Sequence, residues 1–171
     1  MIFNKFIAEL GVAALPTEMS FSVKNSQHNL EYNGNTLASL FAQRRNILRP
    51  SFWLMLIDIM RFNKLGKRLL AANDADLDLA LGDFLLKHDF GNGIRDNYLM
   101  PMGAAIWSAG LADMPAFPVR FFLRFFNNHG LLNITDRPQW SVIKGGSRSY
   151  VQALLAKLGH DKVKLQQQIS A

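Results

Sequence analysis

Lys144-Gly145-Gly146 is the part of this chain whose residue types and spacing could do chemistry. Paired glycines between a strand and a helix let a backbone approach something flat or anionic closely. They equally suit a plain tight turn that needs positive φ, and the sequence leaves both readings open. Other chemistry is sparse. With no cysteine there is no disulfide, no thiolate metal site and no Cys nucleophile. His28, His88, His129 and His160 stand far apart, each near a turn where a solvated histidine is expected, and no pair has metal-ligand spacing. A G-x-S-x-G elbow, a P-loop and an H-E-x-x-H helix are all missing. The carboxylates are too scattered for a paired acid–base site.

The elements that must position the glycines follow from pattern. Pro138 ends what precedes it and biases Arg137 toward an extended conformation. Trp140, Val142 and the stem of Lys144 alternate with Ser141 and Ile143, which predicts a short strand. Ser147 is the expected N-cap of a helix carrying Tyr150, Val151, Leu154, Leu155 and Leu158, and Gly159 closes it. Val163 and Leu165 alternate with Lys162, Lys164 and Gln166, which predicts another strand.

Upstream, Ile2, Phe3, Phe6, Ile7 and Leu10 form one helical face that Gly11 ends, and Pro16 punctuates a loop. Met19, Phe21 and Val23 alternate with polar residues, Asn25–Asn29 turns, and Leu30–Tyr32 returns. This hairpin is the only β structure expected before Trp140. Thr36–Gln43 reads as a short helix. Pro50 opens a long one with Phe52, Trp53, Leu56, Ile57, Met60, Leu65 and Leu69, while Arg61, Lys64, Lys67 and Arg68 fall on or near its other face. Leu77–His88 is amphipathic, and Gly91-Asn-Gly93 reads as a turn between helices. Ile94–Ser108 is mostly apolar, includes Met102 and Trp107, and should kink or break at Pro101. Beyond Pro115 and Pro118, Phe117, Phe121 and Phe125 fall at i, i+4 and i+8 with Phe122 and Phe126 beside them. That face suits core packing, an acyl-chain cavity or a partner surface.

At 171 residues, 49% of them hydrophobic, the chain is expected to form a single domain spanning 1–171 with a sizeable core. The net charge of +6, concentrated between Arg44 and Arg68, suits a solvated helix face or an anionic membrane. No RNA- or DNA-binding motif accompanies it, so nucleic acid is not an expected partner. No signal peptide and no run long enough to span a bilayer is read, which gives a cytoplasmic expectation, with a peripheral membrane location as the variant.

Several blocks carry a family likeness: Met19-Ser-Phe-Ser-Val23, Leu40-Phe-Ala-Gln-Arg-Arg-Asn46, Pro50-Ser-Phe-Trp53, Met102-Gly-Ala-Ala-Ile-Trp-Ser108 and Arg137-Pro-Gln-Trp140. With the strand, Gly-Gly-Ser turn and helix after Trp140, they resemble the flavin-containing amine oxidase superfamily. The likeness is strongest to bacterial predicted NAD/FAD-binding proteins and to the flavoprotein-like N-terminal half of plant cyclopropane fatty acid synthases. A complete member opens with a G-x-G-x-x-G turn that holds the FAD pyrophosphate. The nearest approach here, Gly91-Asn-Gly93-Ile-Arg-Asp96, has Asp96 in place of the third glycine, and a C-terminal FAD segment is also missing. The resemblance therefore implies the central substrate or cap region of an FAD-dependent oxidoreductase, one that binds no FAD by itself and partners the rest of the flavoprotein.

The implied fold is α+β, mainly helical, with a small antiparallel or mixed sheet. The implied reaction is hydride removal from an organic substrate by flavin, with a lipid or acyl-chain substrate suggested by the neighbouring synthases and the Phe-rich helix. Trp140, Lys144, Gly145 and Gly146 are expected beside the cofactor. Met102, Trp107, Phe121 and Phe125 are expected around the substrate cavity. Two other readings remain: a basic, non-catalytic module for anionic membranes, and an interaction domain that dimerises through Phe117–Phe126. The isolated chain is expected to self-associate through strand edges and apolar faces.

Overall fold

The computed structural model describes residues 2–34, 36–134, 138–159, 162–164 and 166–167. Helix α1 (Ile2–Glu9) is followed by strands β1 (Ala14–Thr17), β2 (Ser22–Asn25) and β3 (Leu30–Asn33), helix α2 (Leu37–Leu40), a 3₁₀ turn over Arg44–Leu48 and the long helix α3 (Pro50–Ala72). A second 3₁₀ turn, Ala75–Asp78, leads to α4 (Leu81–Lys87). Then α5 (Asn92–Ile94), a π-helical segment (Arg95–Leu99) and α6 (Met100–Trp107) run on without a break. A 3₁₀ turn over Met114–Ala116 precedes α7 (Val119–Asn128), β4 (Trp140–Ile143) and α8 (Ser147–Leu158). The architecture is mainly helical α+β with two small antiparallel sheets, β1–β4 and β2–β3, as expected.

The chain divides into two compact units: residues 1–19 with 139–171, and Ser20–Pro138. The first unit is assembled from both ends of the chain. Thr17 pairs with Trp140 and Ala14 with Ile143, and the Lys144 N–H donates to the Ala13 carbonyl at 2.9 Å. Strand β1 was not expected, because Pro16 reads as a loop residue. A proline is tolerated in a two-stranded ribbon because its missing N–H can face the open edge. The strand expected over 162–166 does not form among the described residues: Lys162 sits in a helical turn whose N–H donates to Gly159, and Leu165 lies outside them. Gly146, not Ser147, is the N-cap of α8.

The second unit holds the main core. Helix α3 buries Phe52, Met55, Phe62 and Leu69. Phe62 meets Phe84 of α4 at 6.1 Å and Phe122 of α7 at 6.3 Å, both edge to face, the favoured arrangement for aromatic pairs. Gly66 lets α3 and α7 approach: a Cβ there would lie 2.6 Å from a Leu123 methyl. The expected helix over Leu77–His88 starts only at Leu81. Leu79 and Ala80 are extended instead and bridge to residues 117–119, with the Val119 N–H on the Leu79 carbonyl at 3.1 Å and the Leu81 N–H on the Phe117 carbonyl at 2.8 Å.

The helical run is not broken at Pro101, and the reason is physical. A helical proline lacks the N–H that would bond the carbonyl four residues back, here Asn97, and its ring crowds that carbonyl. The π-helical segment widens the turn just before it. The freed Asn97 carbonyl accepts instead from the buried Tyr32 hydroxyl at 2.7 Å. The Asn97 side chain donates to the Gly93 carbonyl and accepts from the Asn25 side-chain amide at 2.8 Å, so the β2–β3 hairpin is tied to this helix at two points. Burial holds the Tyr32 hydroxyl's pKa far above its usual range, with Tyr98 adding to the rise, so the group stays a donor.

Tyr32→Phe leaves the Asn97 carbonyl buried and unpaired. It is expected to lower unfolding free energy by about 1–3 kcal/mol in urea titrations. In a Pro101→Ala background the new N–H can serve that carbonyl, and the cost of Tyr32→Phe should shrink. An equal cost in both backgrounds would rule this coupling out.

Candidate functional site

The residues expected beside a cofactor all lie in the first unit. Gly145 and Gly146 end β4 with φ of +80° and +74°, backbone states that favour glycine. A Cβ at Gly145 would strike the Ser149 hydroxyl, while nothing lies within 4 Å of one at Gly146. The Gly146 N–H donates to the Ile143 carbonyl at 2.9 Å, closing the turn. Lys144 projects an exposed side chain, and Trp140 is half-buried. The turn is thus fully accounted for by its own backbone, and it leaves an open approach at Gly146.

The residues expected around a substrate cavity lie in the second unit, and the structure groups three of them. Trp107, at the end of α6, packs on Phe125 at 5.1 Å and Phe121 at 5.8 Å, with Phe117 at 4.5 Å and Phe122 at 5.4 Å. Phe122 and Phe126 are fully buried, Phe125 is half-buried and Phe121 is exposed. Helix α7 therefore splits its phenylalanines between core and an aromatic shelf that reaches solvent. Met102 is separate from that shelf and belongs to the core. Gly103 beside it is close-packed, since a Cβ there would lie 3.1 Å from the Phe122 ring and against the Met114 methyl.

Two clefts that pattern reasoning missed flank the hairpin. One, about 330 Å³, has Leu30, Phe52 and Met55 as its apolar lining and His28, Arg49, Ser51, Asn92, Asp96 and Asn97 as its polar lining. The other, about 760 Å³, runs beside residues 21–28 to Met100, Pro101, Ala105 and Leu111. The signal was present in the sequence only as the arginine run. Arg45 and Arg49 each donate to the Asn29 carbonyl at 3.0 Å and so fasten the hairpin turn rather than stand free in solvent. Asp96 is held by Arg95 through two bonds of 2.7 and 3.1 Å. His28 and Asp96 contribute to the lining of both clefts.

A third cavity, about 540 Å³, is lined by Arg61, Lys64, Leu65, Arg68, His88 and Phe90. Arg61 is ion-paired to Asp58 at 2.5 Å and lies over the Phe90 ring at 5.0 Å. Of the four histidines, each expected to be solvated, His88 bonds Asp76 at 2.9 Å and His129 stacks on Phe125 at 3.9 Å. His28 is exposed beside Asn25, and His160 lies outside the described residues. Among the described residues no group of histidines and carboxylates could hold a metal ion.

The Asp76 carboxyl is held below the usual carboxylate range, first by its hydrogen bond from Lys87 at 2.6 Å and further by His88. A depressed folded pKa gives stability that is present above the unfolded value and lost as pH falls through the folded one. Stability of Asp76→Asn should therefore fall less steeply than wild type on acidification below about pH 4, as read by melting temperature against pH. Parallel curves would refute it.

No protein-family model and no curated protein matches this chain.

Proposed function

We propose that this chain is the substrate-side region of an FAD-dependent, amine-oxidase-like oxidoreductase acting on a lipid or acyl-chain substrate. The observation that carries this reading is the connectivity. Both ends of the chain meet in one antiparallel ribbon, and Ser20–Pro138 is inserted between them as a unit with its own core. A substrate domain that leaves a cofactor domain and returns to it has this order. The ribbon unit itself is poorly covered: among its described residues Ile7 is the fully buried apolar one, α8 has none, and Phe3, Leu15, Val142, Val151 and Leu158 are exposed. A two-stranded ribbon with one face uncovered is marginal alone and fits docking onto a larger body.

The residues present suit one edge of a flavin site and not its phosphates. The open approach at Gly146 would admit a flat ring, and the exposed Lys144 would offer it a cation. A G-x-G-x-x-G turn is not in the sequence. When bound, the flavin supplies the hydride acceptor, so the chain needs no acid–base pair of its own. Its part is to hold the substrate: the Trp107–Phe121–Phe125 shelf offers apolar area for an acyl chain.

The test is made on the gene product purified from its own source, as wild type and with Gly145→Ala and Gly146→Ala together. Each alanine at positive φ costs roughly 1 kcal/mol in the turn, so melting temperature drops modestly. Flavin-to-protein ratio and single-turnover flavin reduction should drop much further, since misplacement by about 1 Å can cost ~100-fold in rate. Because this chain is expected to bind no FAD by itself, the flavin is sought in the complex it forms with the rest of the flavoprotein, and a colourless complex refutes the reading. A variant changed only in melting temperature removes the flavin from beside this turn.

A further inference from the structure

We propose that the solvent face of α3, with the turn before it, docks on an anionic phospholipid bilayer. The proposal stands independently of the flavoprotein reading. Trp53, Ile57 and Met60 were expected on the side of α3 opposite its cations; the structure turns them outward on the same side. Ile47, Leu48, Trp53, Leu54, Ile57 and Met60 are all exposed, Leu48 to 85%. The opposite face, Phe52, Met55, Phe62, Gly66 and Leu69, is buried and fixes this orientation. Trp53, Ile57, Met60, Lys64, Lys67 and Arg68 then share one exposed helical stripe, apolar in its first half and basic in its second. Single exposed apolar residues are ordinary, but a contiguous patch bordered by charge marks a contact surface.

Charge selects the occupant. Lys64, Lys67 and Arg68 make no ion pair among the described residues. The 540 Å³ cavity at that end is lined by Arg61, Lys64, Arg68 and His88 over Leu65 and Phe90, with no carboxylate in its lining. Its dimensions and donors suit a phosphate headgroup. The Trp53 indole N–H is bonded to the Ile47 carbonyl at 2.8 Å, so the ring presents no unmet donor to hydrocarbon. An anionic bilayer offers phosphate and hydrocarbon in adjacent layers, and a helix lying in the plane buries its apolar side about 5–10 Å deep. No helix among the described residues is long and apolar enough to cross a membrane, so α3 would lie along the surface.

The test floats the full chain with vesicles of phosphatidylcholine alone or mixed with phosphatidylglycerol. Binding is expected on the mixed vesicles only, with release by added salt and a blue shift of tryptophan emission. At about fivefold in affinity per cation, Lys64→Glu with Arg68→Glu should weaken partitioning at least ~25-fold. Leu54→Ser with Ile57→Ser should weaken binding even at low salt, and abolish the blue shift. These side chains are exposed, so melting temperatures should hold; if the serine pair unfolds the chain, Leu48→Ser replaces it. Failure to float with anionic vesicles, equal binding to neutral ones, or indifference to charge reversal each overturns the proposal. So does a finding that the serine pair converts an oligomer to a monomer while vesicles remain unbound, since the face is then a contact between copies.

Discussion

The Asn97 carbonyl is the constraint on which much of the larger unit depends. Pro101 lacks the N–H that would bond it four residues on, and Asn97 is buried. A donor from another element takes that place: the Tyr32 hydroxyl of β3. The hairpin is therefore held at a fixed place on the helical run from Asn92 to Trp107, where Asn25 adds a second bond to the same residue. With the hairpin fixed there, the cleft lined by His28, Arg49 and Phe52 opens between its turn and the start of α3. A polar requirement thus shapes the surface that could bind a ligand.

Close approach by small residues does the rest. Gly66 brings α3 onto Leu123, and Gly103 brings α6 onto Met114 and Phe122. Between these contacts Phe62, Phe84 and Phe122 meet edge to face. Because Phe122 and Phe126 are committed to that core, the remaining phenylalanines of α7 are left beside Trp107, where they build the aromatic shelf. Packing and prospective substrate surface are thus two sides of one helix.

Local pattern made several features legible. The Pro50 start, the hairpin turn at Asn25–Asn29, the strand after Pro138 and the positive-φ glycines follow from residue types alone. What pattern missed was set by distant partners. Strand β1 exists because β4 pairs with it across most of the chain, and α4 starts late because Leu79 and Ala80 bridge to residues 117–119. On α3, Trp53, Ile57 and Met60 look like core by hydrophobicity, yet the neighbouring elements bury the side bearing Phe52, Met55 and Phe62, and Trp53 meets only Phe41 at the edge, at 5.4 Å, and stays exposed. Of the candidate site, the aromatic spacing was readable, but the division of its residues between two units was not, because spacing along a chain does not report which residues fold together.

The two units also differ in what stabilises them. The ribbon of β1 and β4 joins Thr17 to Trp140, a closure that across an unfolded chain costs roughly 4 kcal/mol or more. Four pairs in a two-stranded ribbon, with no residue of α8 fully buried, are a small return against that cost. Once Ser20–Pro138 has folded around its own core, most of the closure entropy has already been lost, and the ribbon forms at little further cost. A ribbon that depends on its insert for closure and leaves apolar residues such as Phe3, Leu15 and Val142 uncovered is stabilised further by whatever packs on them. Its stability is then coupled to docking, so a partner that covers the ribbon also steadies the Gly145-Gly146 turn at its end.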